Sequence, residues 1–255
     1  MGIIIAGISG LIAGIMVNYF SDVLPVQRRL ARPVCASCQT HYNWKDYLLM
    51  TACRGCGKSR SWRTFICLVA GLLLSIILWL NPPARLGYWL GLIILAYFGL
   101  VVVIDLEHRL IMHTVSLAGA VLGLVTGVIK DGLVACLLGG LIGAGIMLIF
   151  YWLGTLFARY RARKLGHDDG EEALGFGDVT ISGVIGLMLG WPLIMYGLFL
   201  GILAGGLVSL VLVLALMALR RYESMSIFTA YGPYLVIGAA ILLYFPQSLS
   251  ILLGK

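Results

Sequence analysis

The sequence predicts an all-α polytopic membrane protein of about eight transmembrane helices with a small cytosolic zinc-binding loop domain. Three observations predict it. The 255 residues are 61% hydrophobic and only 11% charged, and the mean hydropathy is +1.01; soluble domains are not this apolar. Apolar runs of helix-spanning length recur along the chain, separated by short polar or Gly/Pro breaks. Two C-x-x-C pairs fall in the one long polar segment that precedes most of these runs.

The first apolar run covers Ile3 to Phe20. It begins with no basic residue before it, and the cluster Arg28, Arg29, Arg32 comes after it, so it reads as a span with its start outside, not as a secretory signal. The polar segment Ser21 to Thr64 follows. Spans two and three are expected at Phe65 to Leu80 and Leu86 to Ile104, split at Asn81-Pro82-Pro83. Span four is expected from Thr114 to Ile129 and span five from Leu133 to Phe157, with Lys130-Asp131-Gly132 as the turn. The run from Val179 to Leu219 is too long for one span and is expected to break at Gly190-Trp191-Pro192. The last span is placed at Ala230 to Phe245. This gives a first helix at 1–20, a zinc segment at 21–64 and a seven-helix membrane region at 65–255.

Charge supports the layout. Fifteen of the eighteen Lys+Arg fall on the side assigned to the cytosol, leaving only Arg85, Lys130 and Lys255 outside. The net charge of +7 is therefore read as membrane orientation, with both termini outside, and not as nucleic-acid binding. Cytosolic thiols stay reduced. Cys35, Cys38, Cys53 and Cys56 are spaced to give two knuckles that together complete a tetrahedral zinc shell. Some forty residues are too few for a sizeable core, so a metal staple makes physical sense. Cys67 and Cys136 lie inside spans and read as small apolar residues.

Two aspartates carry the functional reading. Asp105 ends the third apolar run, and Asp178 follows Gly175, Phe176 and Gly177 at the start of another. The layout puts both on the cytosolic face. Ionisable groups at a membrane edge or below it are costly, so function is their default explanation. Gly175 and Gly177 would let an extended substrate backbone approach, and the start of a helix offers free N–H groups to a carboxylate. Two carboxyls that share one proton supply both the base and the acid of peptide hydrolysis. The competing class is a proton- or cation-coupled transporter using the same aspartates. His108, His113 and His167, the acidic loop Asp168 to Glu172, and Glu107 as a surface partner of Arg109 read as solvated.

These residues resemble the type IV prepilin peptidases. The likeness rests on the Gly14 to Asn18 region, the two C-x-x-C pairs, Ile104-Asp105, Gly175 to Asp178 with Gly186 and Gly190-Trp191-Pro192, and Tyr231-Gly232-Pro233. The glycine–aspartate element alone is shared with presenilin-like and signal-peptide-peptidase-like proteases. The resemblance implies an aspartic endopeptidase of the bacterial cytoplasmic membrane that removes the basic leader of type IV prepilins and type II secretion pseudopilins at the cytosolic face. It implies Asp105 and Asp178 as the catalytic pair and the four cysteines as zinc ligands. Many members also N-methylate the new N-terminus with S-adenosylmethionine. Here Ile111-Met112-His113 stands where the family has Ile-Pro-Asp, and Val179-Thr180 where a lysine is common. No glycine-rich fingerprint after a strand marks a methyl-donor site.

Overall fold

In the computed structural model, the described residues are 1–35, 37–83, 85–165, 175–218 and 231–245. Among them the regular structure is helical, with one isolated antiparallel bridge between Val34 and His41. The helices are α1 (Gly2–Gln27), α2 (Trp44–Leu48), α3 (Trp62–Leu80), α4 (Gly87–His108), α5 (His113–Asp131), α6 (Leu133–Leu165), α7 (Phe176–Leu189), α8 (Leu193–Ala218) and α9 (Gly232–Tyr244). Six are long and apolar enough to cross a membrane; α7 and α9 are apolar but shorter. Their 14 and 13 residues give about 20 Å of helix against a hydrocarbon core of about 30 Å. The chain is a multi-pass membrane protein, and among the described residues eight apolar helices fall on the eight runs that were expected. The acidic loop with His167, and Arg220, Arg221, Glu223 and Lys255, lie outside the described residues.

The chain divides into two compact units, Met1–His108 and Arg109–Lys255. In the first, α1 packs on α3 and α4, and α3 packs on α4. Lipid offers helices no hydrophobic drive to associate, so close backbone approach at small residues does the work. A Cβ on Gly71 would stand 2.6 Å from the Gly10 carbonyl oxygen, and one on Gly14 would stand 2.9 Å from that of Cys67. One turn on, the buried Asn18 amide donates to the Gly14 and Thr64 carbonyls, tying α1 to the start of α3.

Several helix ends differ from expectation: α6 runs to Leu165 instead of Phe157 and α4 to His108 instead of Ile104, and two further ends have a clear local cause. α1 runs to Gln27 instead of stopping at Phe20. Its added turns carry polar groups satisfied without water: Ser21 donates to the Asn18 carbonyl, and Asp22 takes bonds from the loop. α3 starts at Trp62, three residues early, because Ser61 caps it by accepting the Arg63 N–H.

In the second unit α7 is the central element. It packs on α5, α6, α8 and α9, and Val179, Ile181, Ser182, Val184, Ile185, Met188 and Leu189 are all buried. The α6–α7 contact is again built on small residues, with Gly139 and Gly143 against Gly186 and the Ser182 carbonyl. The Lys130 ammonium donates to the Leu189 carbonyl at 2.7 Å, satisfying one of the acceptors left open at the C-terminal end of α7.

Candidate catalytic residues and metal centre

Asp178 occupies the first turn of α7. Gly175 caps that helix in an extended conformation, and the Asp178 N–H donates to the Gly175 carbonyl at 3.0 Å. The unpaired N–H groups and positive dipole end of a first turn favour a carboxylate. Gly177 has a reason within the fold: its Cβ would stand 2.8 Å from the Ile111 Cβ, so only glycine lets α7 start against that residue. Thr180 donates back to the Gly177 carbonyl and meets the Ser116 hydroxyl at 3.3 Å. Tyr231, just before α9, lies within electrostatic range of Asp178.

Asp105 sits in the last turn of α4, after the buried Val101 and Ile104. The helix ends at His108, and Arg109 leaves it with a left-handed φ of 51°. Asp105 is 5% exposed and Asp178 8%. His108, His113 and His41 are exposed. Glu107 differs from expectation: its partner is Arg63 on α3, not the neighbouring Arg109. A residue at the end of one span most easily meets a charge on the adjacent span, and α3 and α4 are packed together.

The four cysteines converge. Cys35 and Cys56 sulfurs are 3.7 Å apart, those of Cys38 and Cys53 3.6 Å, and all four lie within 4.8 Å of one another. Tetrahedral zinc with bonds near 2.3 Å puts its sulfurs about 3.8 Å apart, so the set fits the ion. The two knuckles have the same backbone. In each, the first cysteine's carbonyl accepts from the residue four on, Gln39 or Gly57, and its N–H donates to the residue five on, Thr40 or Lys58. Gln39 and Gly57 are both left-handed, with φ of 56° and 69°.

Amides at Ser37 and Cys38 lower the Cys35 thiol to about 6. The Lys58 amide favours the Cys56 thiolate, but the crowding sulfurs of Cys38, Cys35 and Cys53 outweigh it and push that thiol up to about 11. Four thiols this close cannot all ionise without a cation between them. Cys35 and Cys53 are buried with Tyr42 and Tyr47 in a small cluster that Tyr19 of α1 joins. Arg54 pairs with Asp46 at 2.8 Å on the outside of the loop.

The sequence profile of the type IV leader peptidase family (Peptidase_A24) matches residues 90–210, a stretch that contains both aspartates. A prepilin leader peptidase/N-methyltransferase of Aeromonas salmonicida (strain A449) is 28% identical over 200 residues, 78% of this chain and 63% of the relative. That of Aeromonas hydrophila has the same identity and coverage. That of Pectobacterium carotovorum subsp. carotovorum is 29% identical over 171 residues, 67% of this chain and 53% of the relative. The chain thus spans less than two thirds of the length of these relatives. No solved structure matches it significantly. Residues 90–210 of the chain are thus similar to the type IV leader peptidase family.

Proposed function

We propose that this protein is a membrane aspartic endopeptidase that removes the basic leader of type IV prepilins or pseudopilins. Asp105 and Asp178 form its catalytic pair. The observation that carries the reading is selective burial. Among the described residues of the family segment the acids are Asp105, Glu107, Asp131 and Asp178, and only Asp105 and Asp178 are buried. Burying a carboxyl has a cost that natural proteins rarely bear without a function.

In this mechanism one carboxylate takes a proton from water, whose oxygen attacks the scissile carbonyl carbon. The protonated partner donates to the carbonyl oxygen. Collapse of the tetrahedral diol breaks the C–N bond, and the departing amine takes the proton. Gly175 leaves room for a substrate backbone beside Asp178, and Gly177 lets α7 begin against Ile111. Zinc held by Cys35, Cys38, Cys53 and Cys56 would fasten the loop and take no part in the hydrolysis. A cavity of about 420 Å³ along α1, α3 and α4 is apolar over its length and ends at Arg63 and Glu107, room for a few apolar side chains of a precursor. The membrane would be the bacterial cytoplasmic membrane, with both termini outside and the aspartates facing the cytosol, as the Lys+Arg distribution favours.

The test is cleavage of a reporter precursor, a basic leader followed by an apolar helix, by the purified protein in detergent. Asp105→Asn and Asp178→Asn should each abolish cleavage with the metal content unchanged; cleavage retained in both would end the reading. The relatives' names include N-methyltransferase. With S-adenosylmethionine added, a second activity of that kind would yield a product one methyl group heavier at its new N-terminus.

A further inference from the structure

A chain of polar contacts connects the cysteine loop to the turn that holds Asp105. Asp22, near the end of α1, accepts from the Tyr47 hydroxyl at 2.6 Å and from Arg60 at 3.4 Å, and it is ion-paired with Arg63. Arg63 forks. One amino group holds Asp22 and the other holds Glu107. Glu107 lies two residues beyond Asp105, in the last turn of α4. At the other end, the Arg60 guanidinium lies over the rings of Tyr47 at 4.2 Å and Tyr42 at 5.2 Å. Those rings pack with Cys35 and Cys53.

The contacts are sheltered from water. The Arg60, Arg63 and Asp22 side chains are only 9%, 18% and 19% exposed, so these pairs are weakly screened. A guanidinium that bridges two carboxylates is a rigid fork, unlike a lysine's flexible point charge. The element it grips needs such a grip. The last turn of a helix leaves its carbonyls without intrahelical donors and frays first. α4 ends at His108 with an abrupt left-handed exit. The Arg63–Glu107 pair ties that turn to α3.

We propose that Asp22, Arg63 and Glu107 are positioning residues for Asp105. Through Tyr47 and Arg60 they transmit the folded state of the cysteine loop to the last turn of α4. The metal centre thereby acts on the peptidase step without touching substrate. The proposal rests on the reading of Asp105 as catalytic, but its first test does not.

That test is amide hydrogen exchange on the full chain in detergent, zinc-loaded and after chelation. Arg63→Gln should speed exchange at residues 104–108 and leave α7 and the zinc content unaltered. Chelation should speed the same amides in the wild type and add little in Arg63→Gln, where the link is already cut. Unchanged exchange at 104–108 in Arg63→Gln, or equal acceleration by chelation in both proteins, overturns the proposal. Glu107→Gln, whose side chain is 38% exposed, serves if Arg63→Gln does not fold, and should show the same pattern. Cleavage kinetics add a second readout. A misplacement of about 1 Å is worth on the order of 10²-fold in rate, so kcat should fall by up to that factor with KM unchanged, and Arg63→Lys should recover part of it. A rise in KM at constant kcat would make these residues substrate contacts and refute positioning. If the wild type cleaves nothing, the peptidase reading fails, and hydrogen exchange still decides the coupling.

Discussion

The α6–α7 crossing gives a sharp test of how this membrane region is held together. A methyl group at Gly186 would stand 2.7 Å from the Gly139 carbonyl carbon and 3.0 Å from the Gly140 Cα. These are backbone atoms, so no side-chain rotation relieves the clash. Carbon atoms rest at about 3.5 Å or more, so α7 must move off α6 by roughly 0.8 Å. Overpacking of this kind costs about 1–3 kcal/mol, set against about 1 kcal/mol of helix propensity gained by replacing glycine with alanine. Gly145, also on α6, is the control: a methyl group there meets nothing within 4 Å, so Gly145→Ala shows the propensity gain alone. Folded fraction, measured in mixed micelles of rising SDS content, should fall earlier in Gly186→Ala than in Gly145→Ala. The shift also reaches the chemistry, because Asp178 rides on the same helix. A displacement near 1 Å lowers cleavage on the order of 10²-fold. If Gly186→Ala unfolds with Gly145→Ala and cleaves like the wild type, close backbone packing is not what fixes α7.

Other consequences follow from single contacts. Cys38→Ser removes one of four ligands, and zinc measured by elemental analysis should fall well below about one ion per chain. Metal affinity should depend on pH in a definite sense. Cys35, at about 6, is already a thiolate at neutral pH, whereas Cys56, at about 11, must lose its proton to bind. Affinity measured against a chromophoric chelator should strengthen as pH rises above neutrality and weaken more steeply below about 6, where Cys35 also takes a proton; a flat profile would contradict this. Lys130→Met removes the donor to the Leu189 carbonyl and the partner of Asp131. It should cost about 1–3 kcal/mol in the same SDS unfolding assay, and Lys130→Arg should cost less.

The sequence by itself determined the membrane class, the succession of helices and the four cysteines that cluster. Each of these is written locally. An apolar run must hydrogen-bond its own backbone in lipid, so its length and its breaks at Asn81-Pro82-Pro83 and Gly190-Trp191-Pro192 fix the order of the helices and where they break, though not how far α1 and α6 extend past their apolar runs. Each C-x-x-C turn brings its own two thiols together, and the spacing of the two turns lets all four meet. Gly175 to Asp178 reads as a helix start because its residues are neighbours in the chain.

What the sequence left open depends on residues distant along it. Nothing local says that α1 continues to Gln27, since Asp22 is tolerable there only with Tyr47, Arg60 and Arg63 around it. Glu107 reads as a partner of Arg109 until packing sets Arg63 against it, 44 residues away in the chain. Gly177 looks like a door for substrate until Ile111 is found in the space its side chain would fill. Hydropathy and short motifs record what one segment requires of its solvent. Charge pairing and close packing are agreements between segments, and only tertiary structure decides which segments meet.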